Sequence, residues 1–333
     1  MNNPLVSICI PIYGVEQYIE KCAKSLFEQT YNNIEFIFVN DNTKDNSIKV
    51  LEATIEKFNN LKEKIKIINH SLNLGLSQAR ETAVQATKGK YIYHIDSDDY
   101  IERDTIENCV RIAEKESSDI VITGMINEFK NKSHIYIPPS KYNHKEFLKQ
   151  VIRKSIPSWL AGKLIKRELY TNNNIHNIPH VNFAEDYATL PRLLFYAKKI
   201  SFLDKPLYHY VRYNENSYTI RYKKTNVDNI ITAHKVLLQF FEGQEEFSRD
   251  LMIAKLKIQA WIINYTISYS TEESQIEKSI NSIEYDEKLY KDLSINHNII
   301  LILSYFRLKK LLKFYIKSSR KIYSIIRPFL KRN

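Results

Sequence analysis

Short apolar segments alternate with helix-like segments through the first hundred residues, and this alternation constrains the fold more than any other feature of the chain. Four apolar runs rich in β-branched residues predict buried strands at 5–10, 34–39, 65–68 and 91–95. The stretches between them, at 16–29, 47–58 and 76–87, carry helical spacing. Strands that alternate with helices in this way predict an α/β fold with a mainly parallel sheet covered by helices.

The pattern changes in the remainder of the chain. Further strands are predicted at 119–123 and 133–137, and an aromatic-rich extended segment at 206–213. Residues 144–175 indicate helix, loop and helix, residues 186–198 indicate another helix, and the pattern is helical from about residue 225 onward. A length of 333 residues suits about two domains. We predict a sheet-containing domain at 1–220 and a helical C-terminal region at 221–333.

The net charge of +11 is concentrated near the C-terminus. Residues 293–333 contain ten Lys and Arg and no Asp or Glu, which leaves a net charge of +1 for residues 1–292. A nucleic-acid-binding protein carries its basic surface on the fold itself, so the near-neutral body argues against that class. Three cysteines are too few for a disulfide framework, which favours a reducing, intracellular setting.

A basic amphipathic helix is predicted at about residues 299–327, because apolar and basic residues recur there with helical spacing on different faces. The two sets are Leu308, Leu311, Leu312, Tyr315, Ile322 and Ile326, and Lys309, Lys313, Lys317 and Arg320. Such a helix suits an anionic membrane surface, and the alternative is a helix packed on the body with a solvated basic face. We expect no signal peptide and no membrane-spanning helix, since no apolar run reaches roughly 18–20 residues.

Three polar clusters follow predicted strands, at the points where the strands end. They are Pro11-Ile12-Tyr13 after the first strand, Asn40-Asp41-Asn42 after the second and Asp96-Ser97-Asp98-Asp99 after the fourth. Ligands bind α/β sheets beyond the carboxyl ends of the strands, so this coincidence predicts a ligand site.

The first two clusters suit a nucleotide base. Asp41 can accept a hydrogen bond from a base N–H of the kind that uracil presents, and Tyr13 can stack on the base. Taken alone, Asp41 would be interpreted as a turn residue or a helix cap. The order of the clusters, each at a strand end, favours the binding interpretation.

The third cluster suits a divalent cation. Asp96, Asp98 and Asp99 would repel one another unless a cation neutralised them, and hard oxygen ligands select Mg²⁺ or Mn²⁺, which also bind diphosphate. Arg80, on the helix before the fourth strand, can hold a phosphate or orient an aspartate.

These segments resemble the family 2 glycosyltransferases, which have a GT-A nucleotide-sugar fold. The resemblance covers about residues 4–215 and is carried by VSICIPIYGVEQYIEKCAKSLFEQTY, FIFVNDNTKDNS and NLGLSQARETAVQATKGKYIYHIDSDDYI. It implies an inverting, metal-dependent hexosyl- or N-acetylhexosaminyltransferase with a nucleotide-sugar donor, UDP-linked. The implied acceptor is a glycan, lipid-linked, in surface polysaccharide biosynthesis, with the enzyme cytoplasmic and peripheral on the inner face of the cell membrane.

The resemblance also implies roles for the residues that match the family motifs. Asp98 would hold the Mn²⁺ or Mg²⁺ ion, with Asp99 as a helper. Gly14 and Glu81 stand where the family has asparagine, and these departures bear on donor choice. The donor-binding residues would be Pro11, Tyr13, Asp41, Arg80, Asp96 and Ser97.

A later acidic pair, Glu185 and Asp186, resembles the Glu-Asp motif of the family at the start of an acceptor-side helix. An inverting transfer is one in-line displacement, so a carboxylate must accept the proton of the acceptor hydroxyl. We assign Asp186 as the general base and Glu185 as a residue that orients the site or binds acceptor. The alternative is that both acids only stabilise the first turn of the helix.

Four more residues are candidates by similarity to family segments. Trp159 and Lys163 lie in an acceptor-side segment, where Trp159 can stack on a sugar ring or belong to the core. His209 and Arg212 lie in a segment similar to one near the donor diphosphate, and with Trp159 they are candidates for the acceptor side. A buried Tyr/His cluster is the alternative for them.

Two other functions remain open. A nucleotidyltransferase would need a Gly-rich, Lys-containing phosphate loop, and none follows the first strand. A catalytically inactive scaffold at the membrane surface would bind a nucleotide without turning it over, so donor hydrolysis distinguishes it from an enzyme.

Overall fold

The four strands of the first hundred residues form the parallel part of a sheet. The computed structural model describes residues 3–214, 224–270, 272–281 and 287–326. Neighbouring strands pair in parallel in the order β3-β2-β1-β4, and the helices between them follow the predicted alternation. These elements are β1 (Val6–Ile12), α1 (Ile19–Phe27), β2 (Ile34–Asn40), α2 (Ser47–Ile55), a 3₁₀ helix (Glu56–Lys64), β3 (Ile65–Asn69), α3 (Leu76–Gln85) and β4 (Tyr91–His94).

The second half of the sheet is mixed. The new elements are β5 (Tyr100–Ile101), α4 (Thr105–Glu116), β6 (Ile120–Phe129), β7 (Lys132–Tyr136), α5 (His144–Ile152), β8 (Lys163–Lys166), α6 (Glu168–Thr171), α7 (Glu185–Tyr196) and β9 (Ile200–Val211). The order in the sheet is β3-β2-β1-β4-β8-β6-β9-β5, and β7 pairs with β6. β8 is antiparallel to both β4 and β6, whereas β6 and β9 are parallel.

The prediction of helix, loop and helix at 144–175 is wrong for β8. Its four residues are too few for sequence periodicity to distinguish a strand from a helix. The strand forms because β4 and β6 both offer unpaired edges to it, and pairing in the interior of the sheet satisfies its backbone groups.

The apolar residues of β1 place it inside the parallel part of the sheet, between β2 and β4. The strand is buried along its whole length, and its apolar side chains pack with α1, β2 and β4. Pro11 lies inside β1, although the sequence analysis ended the strand before it. The carboxyl ends of β1, β2 and β4 therefore lie side by side at one edge of the parallel part.

The chain divides into two compact units. One comprises Met1–Val151 and Pro157–Arg221, and the other comprises Ile152–Ile156 and Tyr222–Asn333. The second unit thus includes a short segment that lies well before the predicted boundary at residue 220.

The described part of the second unit is helical, as predicted. Its apolar core lies mainly among the last four α-helices and includes Ile253, Leu256, Leu301 and Leu312. In chain order its helices are α8 (Lys224–Phe240), α9 (Glu245–Tyr269), α10 (Glu273–Asn281), a 3₁₀ helix (Glu287–Asp292), α11 (Ile295–Tyr305) and α12 (Lys309–Ile326). None of the described helices is long and apolar enough to cross a membrane.

The predicted amphipathic helix corresponds to α12, but its faces differ from the prediction. Leu312 and Ile316 are buried in the core of the second unit, whereas Leu308 and Leu311 are exposed. One face of the helix therefore packs on its own unit, and a second apolar face of the same helix stays exposed. The side chains of Arg320, Ile322 and Ile326, and residue 327, lie outside the described residues.

Leu312→Ala should lower the free energy of unfolding by about 2–5 kcal/mol, because it leaves a cavity in the helical core. The matched control is Leu311→Ala at the next position, where the side chain is 52% exposed rather than fully buried. We expect the control to change the free energy by less than about 0.5 kcal/mol. Urea denaturation followed by circular dichroism measures both, and equal effects would contradict the packing of α12.

Candidate active site

The loops after β1 and β2 are joined by side-chain hydrogen bonds. The backbone N–H of Gly14 donates to Oγ1 of Thr43 at 2.9 Å, and that of Val15 donates to Oγ of Ser47 at 3.0 Å. Asn42 adopts a positive φ of 54°, which asparagine tolerates. Tyr13 follows β1 with an exposed ring at this edge of the sheet. The segments that follow the two sequence clusters are thus held together at this edge of the sheet.

Asp41 is buried at the end of β2 and holds the start of α3. Its Oδ1 accepts from the backbone N–H of Leu74 and its Oδ2 from that of Gly75, both at 2.8 Å. The Nδ1 of His70 lies 2.8 Å from Oδ1, and the Nε2 of the same ring lies 2.9 Å from Oγ1 of Thr82. A carboxylate has about four acceptor sites, so a base N–H would share Asp41 with these groups.

His70 is a site residue that the sequence patterns did not predict. This residue directly follows β3, in the same strand-end position that identified the other three clusters. Applying the strand-end criterion to the third strand as well would have found it.

Arg80 is the centre of the site. Its guanidinium is buried, and it donates to three carboxylates that come from two distant parts of the chain. Nη2 donates to Oδ1 of Asp96 at 2.6 Å, and Nη1 donates to Oε1 of Glu185 at 2.6 Å and to Oδ1 of Asp186 at 2.5 Å. Burial alone would lower the pKa of Arg80, but the charges of Asp186, Asp96 and Glu185 raise that pKa well above its ordinary value. The structure therefore brings the third strand-end cluster and the later acidic pair together on one cation.

Glu185 and Asp186 form the first turn of α7. Ala184, immediately before them, has a positive φ of 65°, so the chain turns sharply into the helix. Burial raises the pKa of Asp186 and of Glu185, and the charge of Asp186 raises the pKa of Glu185 further. The charge of Arg80 opposes both shifts. A carboxylate with a raised pKa is a better proton acceptor near neutral pH than an ordinary one.

The segment around Trp159 contacts the acidic pair. The backbone of Leu160 lowers the pKa of the Asp186 carboxylate and so opposes the effect of its burial. The ammonium of Lys163 donates to the backbone oxygen of Trp159, and burial lowers the pKa of Lys163 to about 8. The charge of Asp186 raises the pKa of Lys163 against this burial, so Lys163 links the candidate base to the backbone of Trp159.

The turn after β4 contains three carboxylates in different environments. Asp96 is partly exposed and bound to Arg80, whereas the half-buried Asp98 accepts from Nδ2 of Asn214 at 2.8 Å. Burial and then the charge of Asp96 raise the pKa of Asp98 to about 6. Ser97 between them is buried.

Asp99 is fully enclosed in the protein. Its Oδ2 accepts from the hydroxyl of Tyr208 at 2.5 Å and its Oδ1 from the backbone N–H of Val211 at 2.8 Å. Burial, followed by the charges of Asp98 and Asp96, raises the pKa of Asp99 well above its usual range. These bonds tie the turn after β4 to β9. Among the described residues, no group of three or more His, Cys, Asp or Glu side chains could hold a metal ion by itself.

Trp159 and Arg212 lie in one aromatic cluster. The Trp159 ring is 5.7 Å from that of Tyr136 and 6.1 Å from that of Tyr210, and it is only partly buried. The exposed guanidinium of Arg212 lies 5.0 Å from the centre of the Tyr210 ring. This cluster presents both aromatic surface and charge.

His209 lies in a different, buried cluster. Its Nδ1 lies 2.8 Å from Oε1 of Glu128, its Nε2 lies 2.8 Å from Oε1 of Glu102, and its ring stacks on Tyr100 at 4.1 Å. Both ring nitrogens thus have carboxylate partners, which corresponds to the Tyr/His cluster considered as the alternative.

Glu81 supports the segment that leads into α7. Its buried carboxylate accepts from the backbone N–H of Asn177 at 2.8 Å and lies 2.7 Å from Nδ1 of His176. Gly75 permits a second close approach, because a Cβ atom there would lie 2.2 Å from the side chain of Asn182. The residue that departs from the family pattern therefore anchors the segment before the acidic pair.

Comparison with known proteins agrees with this geometry. The model of Glycosyl transferase family 2 matches residues 7–183, which include every strand-end cluster. This chain belongs to glycosyl transferase family 2. The resemblance read from the strand-end clusters is therefore confirmed, and sugar transfer is the activity class of this glycosyltransferase.

Similar proteins occur in bacteria. The uncharacterized glycosyltransferase EpsJ of Bacillus subtilis (strain 168) is 32% identical over 72% of this chain and 70% of its own length. The putative glycosyltransferase EpsH of the same organism is 30% identical over 75% and 74%. The crystal structure of residues 1–349 of S. aureus TarS superposes with a TM-score of 0.67 at 17% identity, covering 95% of this glycosyltransferase and 91% of that chain. The predicted GT-A fold with a helical C-terminal region is confirmed.

Proposed function

We propose that this family 2 glycosyltransferase catalyses an inverting, metal-dependent transfer of a hexosyl or N-acetylhexosaminyl group. The donor is a UDP-linked sugar and the acceptor is a lipid-linked glycan of a surface polysaccharide. One observation carries the proposal: buried Arg80 joins Asp96 at the end of β4 to Glu185 and Asp186 at the start of α7. A donor-side carboxylate and a candidate base thus share one guanidinium.

Related proteins support the chemistry of the donor and of the acceptor. TarS 1–349 of S. aureus has been solved in complex with UDP-GlcNAc, and the mannosyltransferase PcManGT of Pyrobaculum calidifontis with GDP-Man and Mn²⁺. A relative in Bacillus spizizenii, 29% identical over 80% of this chain, is a poly(ribitol-phosphate) β-glucosyltransferase. These names favour a nucleotide-sugar donor and a cell-surface polymer as acceptor.

The donor would lie across the carboxyl ends of β1, β2 and β4. Tyr13 offers an exposed ring for the base, with Asp41 at the end of the neighbouring strand. Pro11, near the end of β1, and Ser97, in the turn after β4, would border the bound donor. The diphosphate would then lie toward Asp96 and Asp98.

The residues at the end of β4 fit a divalent cation. Burial and then the charge of Asp96 raise the pKa of Asp98, so the two neighbouring carboxylates would favour a cation between them. Asp98 would hold Mn²⁺ or Mg²⁺, with Asp96 nearby, and Mg²⁺ in such sites uses one or two carboxylates together with substrate phosphates. When bound, the ion would neutralise charge on the departing diphosphate. Asp99, whose two oxygens accept hydrogen bonds from the protein, would position this turn.

Asp186 is the proposed general base. Its side chain is 17% exposed, against 8% for Glu185, so the acceptor reaches Asp186 more readily. As the acceptor oxygen bonds to the anomeric carbon, its proton passes to Asp186, and the bond to the diphosphate breaks with its electron pair on the leaving oxygen. Arg80 holds the base in place, and Glu185 orients Arg80. Trp159 and Arg212 are proposed to contact the acceptor.

We also propose that the enzyme works at the anionic inner face of the cell membrane. Lipid-linked acceptors lie in that surface, and the cationic C-terminal segment is complementary to it. The three cysteines are all buried free thiols, which agrees with a reducing setting.

A panel of nucleotide sugars, scored for binding and for slow hydrolysis with Mn²⁺, tests the proposal. We expect UDP-sugars to bind more tightly than GDP- or ADP-sugars and one of them to be hydrolysed to UDP. Binding without hydrolysis of any member would favour an inactive scaffold. Preference for a purine nucleotide would overturn the assignment of the donor.

A further inference from the structure

The turn between α11 and α12 and the first turns of α12 expose an unusual amount of apolar surface. The side chain of Phe314 is 68% exposed and that of Phe306 is 61% exposed. Large apolar side chains are normally exposed singly, so several within ten residues indicate a contact surface. The exposed set is Tyr305, Phe306, Leu308, Leu311 and Phe314.

Cationic side chains lie among these apolar residues. Arg307, Lys310 and Lys317 are exposed, and no Asp or Glu occurs between residues 293 and 333. At 3.6 residues per turn, Lys310, Leu311, Phe314 and Lys317 fall within an arc of about 120° on α12. Together with the turn at 305–308 they form one surface, which we call the α12 outer face.

The opposite side of α12 is already occupied. Leu312 and Ile316 are buried in the core, and Lys309 and Lys313 pair with carboxylates of α10. The Lys309 ammonium is 2.8 Å from Glu277, and the Lys313 ammonium is 2.7 Å from Glu273. Lys310 and Lys317 form no ion pair within the described part of the chain. The charge available to a partner is therefore on the outer face.

We propose that the α12 outer face docks on an anionic lipid surface, with Phe306, Leu311 and Phe314 entering the headgroup region and Arg307, Lys310 and Lys317 contacting phosphates. This inference names the surface for the membrane association proposed above and rests on it. Interfacial helices combine buried apolar groups with cations in this way. A second copy of the chain is the less suitable occupant, because a symmetric contact would oppose like charges.

Two double variants with equal loss of charge test the assignment of the face. The full chain is co-sedimented with vesicles of phosphatidylcholine alone and of phosphatidylcholine mixed with phosphatidylglycerol. Lys310→Gln with Lys317→Gln should weaken binding to the anionic vesicles about 30-fold, at about 1 kcal/mol per lysine. Lys309→Gln with Lys313→Gln should change it by less than about threefold, because glutamates already neutralise those lysines and more distant charges are screened. Equal losses would assign binding to net charge and overturn the proposal.

The apolar part of the face needs a separate variant. Leu311→Ser with Phe314→Ser, both at exposed positions, should weaken anionic-vesicle binding at least about tenfold with an unchanged melting temperature. Unchanged binding would remove insertion from the proposal. Sedimentation velocity without lipid tests the other occupant: oligomers that these substitutions dissociate would assign the face to a second copy. The vesicle assay contains no nucleotide sugar, so its failure leaves the proposed transfer reaction standing, and a failed donor panel leaves the docking face standing.

Discussion

Replacing Asp98 with alanine should abolish the metal-dependent part of UDP binding and leave the fold intact. Burial and then the charge of Asp96 raise the pKa of the Asp98 side chain, which is half-buried, so its removal relieves repulsion and does not open the core. Carboxylate oxygens together with donor phosphates form the coordination that Mg²⁺ prefers. Among the described residues, no group of three His, Cys, Asp or Glu side chains could hold the ion without the phosphates. Calorimetric titration of UDP, with Mn²⁺ and with a chelator, measures the metal-dependent part directly.

A matched variant excludes a general effect of charge. Asp204 is an exposed aspartate on β9, so Asp204→Ala removes one carboxylate, and thus the same charge, from the protein surface. We expect that variant to bind UDP as the parent does, with and without Mn²⁺. If Asp98→Ala keeps the metal-dependent increase in affinity, the metal is held elsewhere.

Asp186→Asn should retain donor binding and lose turnover. The amide oxygen can still accept from Arg80, so the ion-pair cluster keeps its shape, but the amide cannot accept a proton from an attacking hydroxyl. A general base contributes about 10²–10⁴-fold, and we expect a loss in this range. Hydrolysis of the nucleotide sugar selected by the donor panel measures the loss without knowledge of the acceptor, because water is then the nucleophile.

Glu185→Gln is the control at the neighbouring position. It removes one of the two carboxylates that share Nη1 of Arg80 and leaves the proposed base unchanged. We expect a loss of less than about tenfold in hydrolysis. If Glu185→Gln loses more hydrolysis than Asp186→Asn, Glu185 is the base and Asp186 the orienting residue. If Asp186→Asn hydrolyses the donor within about twofold of the parent, the base is a different residue.

The sequence pattern predicted the strands and helices whose formation depends mainly on interactions between residues that are close in the chain. The alternation of buried strands and amphipathic helices follows from side-chain periodicity, and it located β1 to β4 within two residues at each end. The strand-end clusters followed from the rule that parallel strands share a carboxyl edge. The same rule would have found His70.

The predictions were wrong where segments that are distant in the chain pack together and decide the local structure. The four residues of β8 carry no decisive periodicity of their own and become a strand between β4 and β6. The faces of α12 were assigned from the helix alone, but the carboxylates of α10 attract Lys309 and Lys313. The apolar core around Leu312 and Ile316 buries one face of the helix and leaves Leu311 exposed.

The sequence by itself determined the α/β architecture, the family and the identity of the acidic motifs. Only the tertiary structure decided that Asp96, Glu185 and Asp186 share Arg80, although 105 residues separate Arg80 from Glu185 and 106 separate it from Asp186. Periodicity and propensity act over a few residues, whereas an ion-pair cluster forms only when distant segments pack together. Burial then sets the protonation of these groups, because it removes the water that would otherwise stabilise their charges.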